Sequence, residues 1–324
     1  MKPQVLPPNV LEHFYAGGPR IAALRGVELE SDHMPEEWIG AVNTMFGSER
    51  GPSRFEDGTL VRDAIAAAPE AYLGAEHVAR FGSSTALLVK LLDAGQRLPF
   101  HFHPGRPFAR EAWGSPFGKT EAWLVVEADE DATVWAGFKR PVELDEVRAW
   151  MDAQDSEAML ASLHEVAVAT GDAIFVPAGT PHAIGAGMLI VELQEPTDMS
   201  VTPEWKGFEL SPDDGHLDLG WDRALRALDL TVVDAPSPAP RLPAVADPYF
   251  RAERLTGRAT LDAGFAIMVG LGGSGTLATE GGEVPLARGS AVLVPYAAGA
   301  GELRGDVTAL RCRPPAPDAG DGEW

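Results

Sequence analysis

Residues Leu98 to Glu127 read LPFHFHPGRPFAREAWGSPFGKTEAWLVVE. His101 and His103 stand two residues apart in an apolar run, interleaved with Phe100 and Phe102. In extended chain, residues i and i+2 share a face, so the spacing predicts both imidazoles on one side. Burying two neighbouring imidazoles is expensive unless they share a partner. A metal ion is such a partner, with neutral imidazole nitrogen as the donor. Lys119, Glu121 and Trp123 repeat the i, i+2 geometry in the next strand-like run. A further histidine, His182, follows a second apolar stretch, GDAIFVPAGTPHAIG (171–185). His101, His103, Glu121 and His182 together make a first shell suited to one divalent transition ion.

Working outward, Gly and Pro punctuate short strand-like runs on both sides of this stretch. The run 121–138 reads as a hairpin about the acidic turn DEDA, and 165–195 returns to strands. Upstream, TLVRDAIAAAPEAYL (59–73) has helical spacing, and Thr85–Ala94 reads as a buried strand or short helix. The 98–120 segment reads as a strand followed by a Gly- and Pro-rich loop. Glu143 to His164 reads as helix interrupted near Asp155, with Leu144, Val147, Met151, Met159 and Leu163 as its apolar stripe. A helical pair is expected from about Pro212 to Leu228. DAPSPAPRLPAVADP (234–248) is a stiff linker and the best boundary in the chain.

Beyond the linker, RGSAVLVPYAAG (288–299) echoes TGDAIFVPAGT (170–180). The echo suggests two related β-units. The last histidine is His216, so the second unit cannot carry a metal site of the same type. The expected architecture is therefore mainly β: two barrels with helical insertions on the first. Residues 1–235 would form the metal-binding unit and 236–324 a metal-free one.

Composition narrows the function. The chain has 324 residues and a formal net charge of -22, which argues against nucleic acid or an anionic membrane as partner. A phosphorylated ligand would need a local positive pocket. Only five lysines occur, so Lys119 beside a candidate ligand stands out. Cys312 is the single cysteine, which rules out an intramolecular disulfide and suits a reducing compartment. With neither a signal-peptide core nor an 18-residue apolar run in the sequence, the expected location is the cytoplasm.

The motifs HFHP, GKTEAW, GDAIFVPAGTPHAIG and VELQEPTD, with PEEWIGAV upstream, resemble the type I mannose-6-phosphate isomerases of the cupin superfamily. The likeness spans nearly the whole chain. It implies two cupin (jelly-roll) barrels, one zinc-like ion and aldose–ketose isomerisation of a sugar phosphate such as mannose 6-phosphate. His103, Glu121 and His182 match the family's metal ligands. Lys119 and Glu192 match positions in its active site, with Glu192 the expected general base. The chain departs from the pattern twice. His101 stands where glutamine is usual, a set that also suits Mn, Fe, Co or Ni. Thr202 stands where the family carries an arginine, leaving Arg106, Arg110 and Lys206 as candidate substrate-binding cations. Three functions stay open: isomerisation of a hexose phosphate or of an unphosphorylated sugar, a metal-dependent dioxygenase reaction, and non-catalytic sugar binding.

Overall fold

Period-two burial organises the chain into antiparallel sheets. The computed structural model describes residues 1–316 and 318–320. The strands of the first part are β1 (Gln4–Val5), β2 (Val10–Leu11), β3 (Glu36–Ile39), β4 (Leu88–Ala94), β5 (Glu121–Ala128), β6 (Thr133–Phe138), β7 (Leu163–Ala167), β8 (Ala173–Val176), β9 (His182–Ile184) and β10 (Met188–Gln194). After the linker come β11 (Arg251–Thr256), β12 (Ala259–Leu261), β13 (Ala266–Thr279), β14 (Gly282–Ala287), β15 (Ala291–Val294) and β16 (Gly301–Arg313). They form a six-stranded sheet, β2-β3-β4-β10-β5-β8, a three-stranded sheet, β7-β6-β9, and a seven-stranded sheet built on β1-β15-β13-β16-β11. The mainly β expectation holds.

The central sheet shows why the site lies where it does. Val89 and Leu91 of β4, Ala122 and Leu124 of β5, and Leu189, Val191 and Leu193 of β10 share one core with Ile267, Val269, Leu293, Leu310 and Cys312 of the seven-stranded sheet. The alternate residues, Leu92, Trp123, Val125 and Ile190, pack into a second core with Val134, Val166 and Ile184 of the small sheet. Lys90, Glu121 and Glu192 belong to that second set by alternation. One face of the sheet is thus sealed by the C-terminal unit, and the other holds the chemistry. Full burial of a Val or Leu is worth about 1.5–3 kcal/mol, so the shared core binds the two units strongly.

The two Val-Pro echoes occupy equivalent places: β8 and β15 are both four-residue strands ending just before Pro177 and Pro295. The unit boundary is less clean than the linker suggests. β1, from the extreme N-terminal part, pairs with β15, Gln4 opposite Leu293. Within the linker, Ala239 bridges Ala173.

The expected helical stretch 59–73 is present as two short helices, Val61–Ala67 and Pro69–Leu73. The "loop" after the histidines is not all loop. It contains the helix Arg106–Trp113, which has Pro107 in its first turn and ends on Gly114 at φ 69. Those are helix start and stop signals that the Gly and Pro content masked. The 143–164 insertion is two helices, Leu144–Ala153 and Ser156–Ala161, with Asp155 accepting the Ala158 N–H at the break. Val147, Met151, Met159 and Leu163 pack against Phe100 and Phe102 as the stripe predicts. The helical pair expected over 212–228 reduces to Trp221–Ala224 between two 3-10 turns. Leu217 and Asp218 adopt φ of 52° and 60°, left-handed values that interrupt a helix. Among the described residues no helix is long and apolar enough to cross a membrane.

Candidate metal centre and active-site cavity

His101 and His182 are brought together by backbone. Their N–H groups donate to each other's carbonyls, at 3.0 and 2.8 Å. Phe102 pairs in the same way with Val201, so the chain around His101 is extended although it belongs to no named strand. The predicted alternation follows: Phe100 and Phe102 enter the helical core, while the imidazoles turn the other way. The His101 and His182 ring centroids are 4.0 Å apart, and His103 lies 5.1 and 4.9 Å from them.

The tautomers point to a cation. The Nδ1 atoms of His101, His103 and His182 sit 2.8, 3.0 and 2.8 Å from the carbonyls of Pro99, Met199 and Thr180. A carbonyl can only accept, so each Nδ1 carries the proton and each Nε2 presents a lone pair. The three histidines offer donor atoms lying within 4.8 Å of one another. His182 Nε2 and Glu121 Oε2 are buried with no hydrogen-bond partner. Burial pushes the His101 imidazole well below its ordinary range. Burial and the Lys119 ammonium hold His103 down to about 3, so both stay neutral as ligation requires. The residues fit a divalent ion.

Glu121 closes the set. Its Oε2 is 3.0 Å from His103 Nε2 and its Oε1 is 3.3 Å from His182 Nε2. Trp123, on the same face of β5, donates its Nε1–H to Glu121 at 2.9 Å. Burial works against the Glu121 carboxylate, but the Lys119 ammonium outweighs it and keeps the group well below the usual carboxylate range. Lys119 Nζ lies 3.0 Å from His103 Nε2 and 3.2 Å from Glu121 Oε2.

Glu195 holds the loop that carries Lys119. Its carboxylate accepts from the Gly118 and Thr120 N–H groups at 3.3 and 3.0 Å, and from Arg106 at 2.6 Å. Arg106 is therefore a clamp on this loop and does not line the cavity. Arg110 and Lys206 are exposed and do not line it either. The three candidate substrate-binding cations were placed by sequence proximity, and the fold turns them elsewhere.

A cavity of about 400 Å³ opens beside His101 and Lys119. Glu192 lines it, opposite Lys90 in register. Burial and the neighbouring Glu121 charge push the Glu192 carboxyl up to about 8. Lys90 is a residue that motif reading missed. It is 2% exposed and lies 3.1 Å from Glu36, 3.5 Å from Glu192 and 3.8 Å from Asp198. Burial opposes its charge, but those three carboxylates more than compensate and raise its pKa. Glu36 also accepts from Trp38 Nε1 and Tyr15 Oη, each at 2.8 Å. His13 lies 3.7 Å from Glu36, and burial lowers the pKa of its imidazole. The available signal was a lone lysine inside an apolar strand, LLVKLLDA (87–94). Asp198 also lines the cavity and accepts from the Phe46 N–H at 3.2 Å.

No family model matches the chain. The mannose-6-phosphate isomerase of Streptococcus mutans is 31% identical over 230 residues, 69% of this chain and 66% of that protein. The chain belongs to the type I mannose-6-phosphate isomerase family. A second family member, mannose-6-phosphate isomerase ManA of Bacillus subtilis, is 33% identical over 117 residues, 36% of each protein. The matched segments thus span about two thirds and about one third of these relatives. The crystal structure of the mannose 6-phosphate isomerase from Bacillus subtilis superposes with a TM-score of 0.77 at 22% identity, covering 97% of this chain and all of that one. A mannose 6-phosphate isomerase bound with zinc and yttrium superposes at 0.71 with 16% identity, over 98% of this chain and all of that one. These two likenesses establish that the fold is the mannose-6-phosphate isomerase fold.

Proposed function

We propose that the chain is a metal-dependent aldose–ketose isomerase acting on a hexose, a reaction that its relatives' names place at mannose 6-phosphate. The observation that carries this reading is the convergence of three imidazole Nε2 atoms beside Glu121, at the wall of a cavity that also holds Lys119 and Glu192. His101, His103, His182 and Glu121 would hold the ion. Zinc is our first choice, supported by the zinc-bound relative; Mn, Fe, Co and Ni also suit such a donor set. When bound, it would supply a fixed positive charge that polarises the C1 or C2 oxygen of the open-chain sugar.

Everything else falls to side chains. Glu192 is the general base that moves the proton between C1 and C2 through an enediol. A carboxyl raised towards neutrality is suited to taking and returning that proton. Lys119 holds a substrate hydroxyl next to the ligand set. Lys90 balances Glu192 and Glu36 and keeps water-excluded acid groups in place. We read the sheets as two cupin barrels, residues 1–235 and 236–324, with β1 lent to the second. The C-terminal barrel covers the apolar face of the first. The cytoplasm is the location this reading favours.

The test is proton exchange. Metal-loaded protein incubated in D2O with mannose, fructose and their 6-phosphates should interconvert at least one aldose–ketose pair and place deuterium at C1 or C2. Fully metallated protein that interconverts none of them would sink the isomerase reading, and oxygen uptake with an added substrate would replace it with a dioxygenase.

A further inference from the structure

We infer that the cavity prefers the unphosphorylated sugar: its walls are built to accept hydrogen bonds from hydroxyls and not to hold a phosphate dianion. The inference rests on the isomerase reading for the reaction and concerns only the tail of the substrate. Among the described residues, six carboxylates line the cavity, those of Glu36, Glu192, Asp198, Asp213, Asp214 and Asp218. Among the described residues, the only lysines or arginines lining it are Lys90 and Lys119, and both are already committed. Lys90 lies among three carboxylates, and Lys119 is held against Glu121 and His103. Even with Glu192 protonated and a divalent ion on the histidines, acidic groups stay in excess.

The exposed end is the decisive part. Asp213, Asp214 and Asp218 are exposed and line the cavity, so they stand at its mouth, where the far end of a substrate must lie. Phosphate oxygens accept hydrogen bonds and need N–H donors or cations. Carboxylates can only accept, and so they match sugar hydroxyls. Two backbone donors here are in use: the Thr202 N–H donates to the Gly215 carbonyl at 2.9 Å and the Asp214 N–H to the Ser211 carbonyl at 3.2 Å. Thr202 itself lines the cavity and carries no charge. Phe14, Phe46 and Leu217 add apolar surface suited to a sugar face.

Steady-state kinetics of the metal-loaded enzyme on mannose, fructose and their 6-phosphates decides it. We expect kcat/KM for the free sugar to exceed that for its 6-phosphate by at least about tenfold at low ionic strength. Added salt should narrow the gap by screening the repulsion. Equal or better turnover of the 6-phosphate overturns the inference and leaves the isomerase reading standing. Turnover of neither form removes both. In a second arm, Asp213→Lys with Asp218→Lys changes exposed side chains whose replacement spares the core. The ratio of phosphate to free-sugar kcat/KM should rise at least about fivefold, and an unchanged ratio also overturns the inference.

Discussion

Lys90 and Glu192 face each other in register on adjacent strands, with the ammonium nitrogen 3.5 Å from a carboxylate oxygen. Both are almost fully buried, at 2% and 3% exposure. A buried charge left without its partner costs more than the pair contributes. Lys90→Met leaves Glu36, Glu192 and Asp198 facing one another without a cation. We expect a loss of about 3–5 kcal/mol in denaturant unfolding. Unfolding within about 1 kcal/mol of wild type would show that the network does not carry this charge balance.

Glu192→Gln separates the base from the ligand set. The side chain keeps its shape, and the ligand atoms are contributed by other residues. Bound metal should match wild type, while kcat falls by about 100-fold or more. Lys119→Met should behave alike, keeping metal and losing turnover. Full activity in either variant refutes the role assigned to that residue.

Metal removal should be visible without any substrate. His182 Nε2, a buried ligand atom without a hydrogen-bond partner among the described residues, gains most from an ion. Dialysis against a chelator should lower the melting temperature, and adding back zinc at about 100 times its dissociation constant should restore about 2.7 kcal/mol. His182→Ala and Glu121→Gln should show reduced metal content and little response to added zinc. An unchanged response in both would place the ion elsewhere.

Much of this centre was legible because it obeys local periodicity. His101 and His103 share a side, as do Glu121 and Trp123, and short-range alternation fixes both. The Asp155 break in the helical insertion was legible for the same reason. The rest depends on contacts across long stretches of chain. Tyr15, Glu36 and Lys90 meet only after β3 and β4 pair, and β1 finds β15 across nearly the whole protein. Arg106, Arg110 and Lys206 failed as cavity cations because nearness along the chain does not orient a side chain. Arg106 turns to Glu195, 89 residues away.

Cys312 reports on the shared core between the two units. It lies on β16 opposite Ile267 and Ala252, fully buried, and burial pushes its thiol far above the ordinary range. A disulfide reagent needs the thiolate and access to it. The native protein should leave the thiol untouched at mildly alkaline pH, and denatured protein should react with one thiol per chain. Rapid native labelling would mean that the C-terminal sheet opens from its neighbour.

Glu204 gives the stability a pH signature. It is buried, accepts the Phe100 N–H and Arg97, and so anchors the chain just before His101. Burial alone would raise its pKa, but the hydrogen bonds from Arg97, Ser156 and Phe100 and the Arg97 charge outweigh that and lower it. A folded pKa below the unfolded one means that the folded state binds fewer protons than the unfolded state. The contribution is therefore complete above the ordinary glutamate range, about 4.3, and is lost as pH falls through the lowered folded value. Glu204→Gln should cost about 1–3 kcal/mol at neutral pH. Its unfolding curve should approach that of wild type as acid protonates the native carboxylate. A deficit that stays constant from neutral pH down through the acid limb would show that Glu204 acts by shape alone.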